Sequence, residues 1–249
     1  MVKKMKVLND VLGYDLKIFQ DDNYFKFSLD SVILANLVNI KHTTKKILDL
    51  GTGNGIIPII LTRRTNSLID AVEIQKDLAN LAQESIKYNN LENQIYIYNV
   101  DMIDFSKNKN ELYDLITCNP PYFKSETKST KNIDIHKAIA RHEIKINLEK
   151  IIKISGKMLK NKGILGMICR VDRFVEVIEL FKKYNIEPKN IKFIYNNTKS
   201  APDLFLIQGM KNGNNGLLID KPFILHDEQG NKTNDYLEIM GGKYDSKKL

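Results

Sequence analysis

Residues Ile47-Leu48-Asp49-Leu50 form a short apolar run that ends directly in Gly51-Thr52-Gly53-Asn54-Gly55. Such a run reads as a buried strand entering a glycine-rich turn, followed by a helix from near Asn54 to Thr65. Pro58 sits in that helix's first turn, where its missing N–H costs nothing. The alternation continues down the chain. Strands are expected at 68–74, 95–100, 113–118 and 164–169, and helices at 77–88, 143–159 and 174–184. Strands at 191–195 and 204–210 follow without a clear helix between them. This order predicts an α/β fold: a mostly parallel sheet with helices on both faces and an antiparallel hairpin at the C-terminal edge. Residues 1–28 read as a strand or hairpin extension. A helix over 30–38 comes next, with Ser28 or Asp30 as its cap. The main domain is expected over 29–225, where 217–225 can pair again. Residues 226–249 read as a polar tail, expected to fray beyond Gly230.

With 249 residues and 43% hydrophobic residues, the chain can bury one large domain. It contains no apolar run long enough for a membrane span, and its basic start has no apolar stretch behind it, so neither membrane nor secretion is expected. Two cysteines, Cys118 and Cys169, cannot build a disulfide framework or a thiolate zinc site, and the four histidines lack ligand spacing. No metal is expected, and a reducing cytoplasm is the expected location. A net charge of +8 favours a polyanionic partner.

The glycine turn places backbone against a ligand at a helix start. Its spacing is G-x-G-x-G, not the G-x-G-x-x-G of a dinucleotide site, and Asp49 lies two residues ahead of Gly51. A carboxylate there repels a phosphate but accepts a bond from a cationic amino-acid end. That favours S-adenosylmethionine over a dinucleotide, with a plain tight turn as the bland alternative. Glu73, some 20 residues on at the end of the second strand, can accept both hydroxyls of a ribose. Asp101 follows the third strand and can accept from an adenine amino group, with Met102 against the purine face; otherwise Asp101 is a turn or helix cap. In an open parallel sheet all of these fall at the C-terminal strand ends, where ligands bind.

Asn119-Pro120-Pro121-Tyr122 follows the fourth strand. The prolines fix the backbone, and Asn119 is pushed out of the helical region. Asn119 falls at the same strand ends and is also a cofactor-binding candidate, and its side chain and the Pro120 carbonyl can be held rigidly toward the cofactor as acceptors. An aromatic amine is a poor nucleophile because its lone pair is delocalised into the ring. Two fixed acceptors favour the tetrahedral nitrogen that develops as a methyl group arrives. Tyr122 can stack on the base. The bland alternative is a structural turn.

Together, Asp49 to Gly55, Glu73, Asp101 and Asn119-Pro120-Pro121-Tyr122 resemble the class I S-adenosylmethionine-dependent amino-methyltransferases. The resemblance implies a Rossmann-like seven-stranded sheet. Over roughly 10–225 the chain is similar, more specifically, to the bacterial family that methylates the adenine beside the anticodon of a valine tRNA. Phe25-Lys26-Phe27-Ser28-Leu29-Asp30-Ser31 and Ala140-Arg141-His142-Glu143 carry that likeness, together with the compact length. It implies tRNA as partner and a role for Asp30 in closing the cofactor site. The chain departs by having Ser31 where members often have glycine; Thr52 and Asn54 occupy variable positions. The competing targets are guanine N2 in ribosomal RNA, adenine N6 in DNA and a release-factor glutamine. About 45 residues precede the first sheet strand, little room for the helical domain that release-factor enzymes usually carry. A non-catalytic RNA-binding protein of the same fold is the alternative of another class.

Residues 124–150 carry seven Lys or Arg against four acids, suiting a lid over a flipped nucleotide, although a solvated loop has the same composition. Arg141 and His142 are candidates for gripping a phosphate there, and Arg170 begins another loop on the same edge. A monomer is expected, with a dimer as the alternative.

Overall fold

The computed structural model describes residues 6–11, 15–21, 28–120 and 148–241. Tyr122, Arg141, His142, the 25–27 segment and the basic stretch after Pro120 up to 147 lie outside the described residues.

Strands β1 (Lys6–Val11) and β2 (Leu16–Asp21) form an antiparallel pair separate from the main sheet. The pair is tied to helix α3 (Lys76–Tyr88). The Phe19 amide donates to Ser85 Oγ at 2.9 Å, and Asn89 clasps the Lys17 backbone from both sides.

The main sheet contains β3 (Lys46–Leu50), β4 (Leu68–Val72), β5 (Ile95–Tyr98), β6 (Tyr113–Cys118), β7 (Leu159–Arg170), β8 (Ile186–Asn197) and β9 (Pro202–Lys211). Their spatial order is β8-β9-β7-β6-β3-β4-β5. The pairs β3–β4, β4–β5, β3–β6 and β6–β7 are parallel. β9 is antiparallel to both neighbours, β7 and β8. The late antiparallel strand therefore lies inside the sheet, with β8 outside it. Short strands β10 (Leu218–Ile219) and β11 (Phe223–His226) extend β8 in parallel, giving nine strands among the described residues. The chain winds β3, β4, β5 one way and then crosses to β6, so β3 and β6 flank the switch point where the crevice of such a sheet opens.

Two apolar layers cover the sheet. Ile47 and Leu115 face α1 (Leu29–Leu37) and α2 (Ile56–Leu61). Leu48, Leu50, Ile116 and Cys118 face α5 (Leu148–Met158) and α6 (Phe174–Lys183). Strand periodicity thus puts Asp49, Thr117 and Asn119 on the α1 side. Gly166, in register with Thr117, lets α1 pack closely: a Cβ there would lie 2.6 Å from Val38 Cγ2.

Three local details differ from expectation. Helix α2 starts at Ile56 because Gly55 has φ +88° and cannot begin a helix. A one-turn helix, α4 (Met102–Ser106), follows β5, capped by Asp101. The tail does not fray directly after Gly230: Thr233 caps α7 (Asn234–Ile239), Ile239 is buried, and its carbonyl accepts from Asn36 Nδ2 at 3.2 Å.

Asp70 is buried within β4. It accepts from Tyr113 Oη at 2.6 Å and pairs with Lys46 Nζ at 3.1 Å. Burial, then the Asp70 bond, pushes the Tyr113 phenol far up. Tyr113→Phe is expected to cost about 1–3 kcal/mol, because a buried carboxylate loses a short bond. Urea unfolding checks this; an unchanged midpoint would refute it.

Candidate active site

The three glycines of the turn adopt left-handed backbone, with φ +69° at Gly51, +60° at Gly53 and +88° at Gly55. The Gly51 and Thr52 amides are anchored on the Val72 carbonyl at 2.9 and 3.0 Å, so the turn folds back over the end of β4. Space beside Gly51 and Gly53 is open, whereas a Cβ on Gly55 would lie 3.2 Å from Ala82 Cβ. The first two glycines therefore present backbone outward, and the third serves helix packing.

Asp49 is fully buried on β3. Its cross-strand neighbour Thr117 donates to Oδ1 at 2.7 Å, and Oδ2 has no hydrogen-bond partner. Burial pushes its carboxyl up from 3.8 to about 7, opposed by the Thr52 and Thr117 hydroxyls. Glu73, just past β4, accepts from the Gly53 amide at 2.8 Å and the Gln75 amide at 2.9 Å. Burial raises its carboxyl despite those bonds. Asp101 Oδ1 accepts from the Ile103 amide at 2.6 Å, and Met102 packs half-buried against the α5–α6 layer.

Asn119 leaves β6 beside the first turn of α1. Its Nδ2 donates to Ser31 Oγ at 2.9 Å and Ser28 Oγ at 3.3 Å. Pro120 is buried behind it. Asp30 is half-buried on the same turn of α1. Arg170 ends β7 on this same edge, exposed and 3.6 Å from Asp172. The structure thus gathers Asp49, Gly51, Gly53, Glu73, Asp101 and Asn119 at the C-terminal strand ends, with Arg170 at the rim. Sequence reasoning missed Thr117, whose partnership with Asp49 is set by sheet register, and Ser31, whose hydroxyl meets Asn119 only once α1 docks. Cys118 and Cys169 are buried, and burial raises both thiols, as expected of apolar packing residues. Among the described residues no group of His, Cys, Asp and Glu could hold a metal, and no helix is long and apolar enough to cross a membrane.

A glycine turn after the first parallel strand, acids after the second and third, and Asn-Pro after the fourth define a methyltransferase of the α/β class. The methyltransferase small domain family matches residues 26–194. The chain belongs to that family. It is 29% identical over 178 residues to the tRNA1(Val) (adenine(37)-N6)-methyltransferase of Cytophaga hutchinsonii, covering 72% of this chain and 74% of the relative. The protein of the same name from Flavobacterium johnsoniae is 26% identical over 221 residues, covering 88% and 92%. The fold is similar to the crystal structure of a predicted O-methyltransferase from Agrobacterium tumefaciens, with TM-score 0.67 and 18% identity over 86% of this chain and 97% of that one.

Proposed function

We propose that this chain transfers a methyl group from S-adenosylmethionine to the exocyclic N6 of an adenine in tRNA, at the position beside the anticodon for which its relatives are named. The observation that carries this reading is Asn119, held at the end of β6 beside the glycine turn, in a chain whose relatives share that name. The residues present suit the cofactor. Asp49 Oδ2, buried and lacking a partner, matches an ammonium group. The open faces of Gly51 and Gly53 accept close backbone approach, and the positive φ at both positions explains why glycine stands there. Each Glu73 oxygen holds one amide and has a second acceptor direction for a ribose hydroxyl. Asp101 is assigned to the adenine amino group, Met102 to the ring face and Asp30 to closing the site.

When bound, the cofactor supplies an electrophilic methyl group on a sulfonium. Asn119 Oδ1 and the Pro120 carbonyl accept the hydrogens of the target amine and direct its lone pair. No general base is needed, because the proton leaves after the methyl group arrives. Tyr122 is assigned to stacking on the base. Arg141, His142 and Arg170 are assigned to backbone phosphates, consistent with the net charge of +8. Residues 29–225 form the catalytic domain in this reading, and the protein acts as a monomer in the cytoplasm.

The test is methyl transfer from labelled S-adenosylmethionine into tRNA from cells lacking this gene, followed by nucleoside mass spectrometry. N6-methyladenosine beside one anticodon is expected. Label in ribosomal RNA, DNA or a release factor instead would overturn the substrate assignment.

A further inference from the structure

We infer that Thr117 is a positioning residue for the cofactor: its hydroxyl, donated across the sheet, holds the Asp49 carboxylate in the charged form that meets the ammonium end of S-adenosylmethionine. The inference rests on the role proposed for Asp49 and concerns the cofactor, not the RNA. An ammonium group binds a carboxylate well and a carboxylic acid poorly, because only the first carries a charge to meet it. Asp49 is 0% exposed on β3, where burial favours the neutral acid. A group inside the fold has to favour the charge.

Sheet register supplies it. Asp49 and Thr117 are direct partners across the parallel β3–β6 pair, so their side chains leave the same face. Thr117 Oγ1 lies 2.7 Å from Asp49 Oδ1 and 3.5 Å from the Leu48 carbonyl. A hydroxyl has one proton to give. The longer contact is a poor bond, so the proton goes to Asp49, at the short distance typical of a hydroxyl donating to a charged oxygen. Thr117 is itself fully buried, and water has no access to take over its part. The Thr52 hydroxyl acts in the same sense from the glycine turn, and the charge of Glu73, just past β4, acts against it. Asp30 stands on the first turn of α1, the helix over this face, and burial keeps the Cys118 thiol, next along β6, protonated. A valine of nearly the same shape would fill the same place in the strand, so the hydroxyl and not the volume is what serves Asp49.

The test is calorimetric affinity for S-adenosylhomocysteine, which keeps the amino-acid end and lacks the reactive methyl group, measured from about pH 6 to about pH 9. Wild type, Thr117→Val and Thr117→Ser are compared at each pH, so the titration of the ligand's own ammonium group cancels. Without the hydroxyl, Asp49 keeps its proton to higher pH, and the loss falls on the acidic side. Thr117→Val is expected to bind about 10-fold more weakly below neutral pH. The deficit should shrink to within about twofold near pH 9, where Asp49 is ionised in both proteins. Thr117→Ser keeps the hydroxyl and should stay within about threefold of wild type throughout. A readout without ligand is NMR titration of the Asp49 carboxyl carbon, assigned with Asp49→Asn. Its midpoint should lie at about 7 in wild type and about one pH unit higher in Thr117→Val. A deficit equal at every pH would show a packing role only and overturn the inference, as would an unmoved Asp49 titration. Asp49→Asn with unchanged affinity would strike the role proposed for Asp49, and this inference with it. Impaired Asp49→Asn beside unimpaired Thr117→Val would strike this inference alone.

Discussion

Asp49→Asn is expected to act in opposite directions on binding and stability. Affinity for S-adenosylmethionine should fall at least about 100-fold, as expected when one partner of a buried charged pair is removed. The cofactor-free protein should become more stable above neutral pH. The reason is the carboxyl's position, fully buried with Oδ2 lacking a partner. Burial raises its pKa from 3.8 to about 7, so between those values the folded chain keeps a proton that the unfolded chain has lost. The contribution to stability is fully present below pH 3.8 and is lost as pH rises through about 7. The full loss corresponds to roughly 4 kcal/mol as an upper figure. Asparagine is neutral throughout, so its advantage in melting temperature should grow from pH 4 to about pH 7 and then level. Each kcal/mol corresponds to about 2–4 °C in a chain of this size. Wild-type affinity should weaken below pH 7 as the proton competes with the cofactor's ammonium group. Calorimetry and thermal melts in matched buffers check both arms. A stability difference independent of pH, or unchanged cofactor affinity, would contradict the assignment.

Asn119→Ala should show the complementary pattern. Single-turnover methyl transfer to tRNA is expected to fall about 10²- to 10³-fold, the cost of removing a preorganised polar group from the reacting centre. Cofactor affinity should stay within about twofold, because the bonds of Nδ2 run to Ser28 and Ser31, not to Asp49 or the glycine turn. Stability should change little, since the side chain is half-exposed at a strand end. Equal losses of binding and turnover would show that Asn119 holds the cofactor site together and would remove it from the chemistry.

Much of the fold was legible because local signals agreed. Residues 113–118 form the strand their apolar run predicts, and helix α3 lies within one residue of its periodic stripe. Strand β8 runs longer than the 191–195 expected, because the sheet absorbs Pro188 at a register shift between Pro188 and Asn190. Strand β7 likewise starts at Leu159, earlier than the 164 expected, and carries Lys162 at φ +62° within it. Helix α7 went unseen because its hold on the domain depends on Ile239 and on Asn36, which is 203 residues away in sequence.

The sequence by itself determined the parallel α/β sheet, the glycine turn and the strand ends that carry Asp49, Glu73, Asp101 and Asn119. Those features follow from local periodicity and from backbone conformations that only certain residues adopt. Only the tertiary structure decided that β9 inserts between β7 and β8, that Thr117 donates its hydroxyl proton to Asp49, and that Ser31 of α1 and its cap Ser28 accept from the Asn119 amide. Each of these is a contact between residues far apart in the chain, fixed by strand register and by helix docking, which no local pattern encodes.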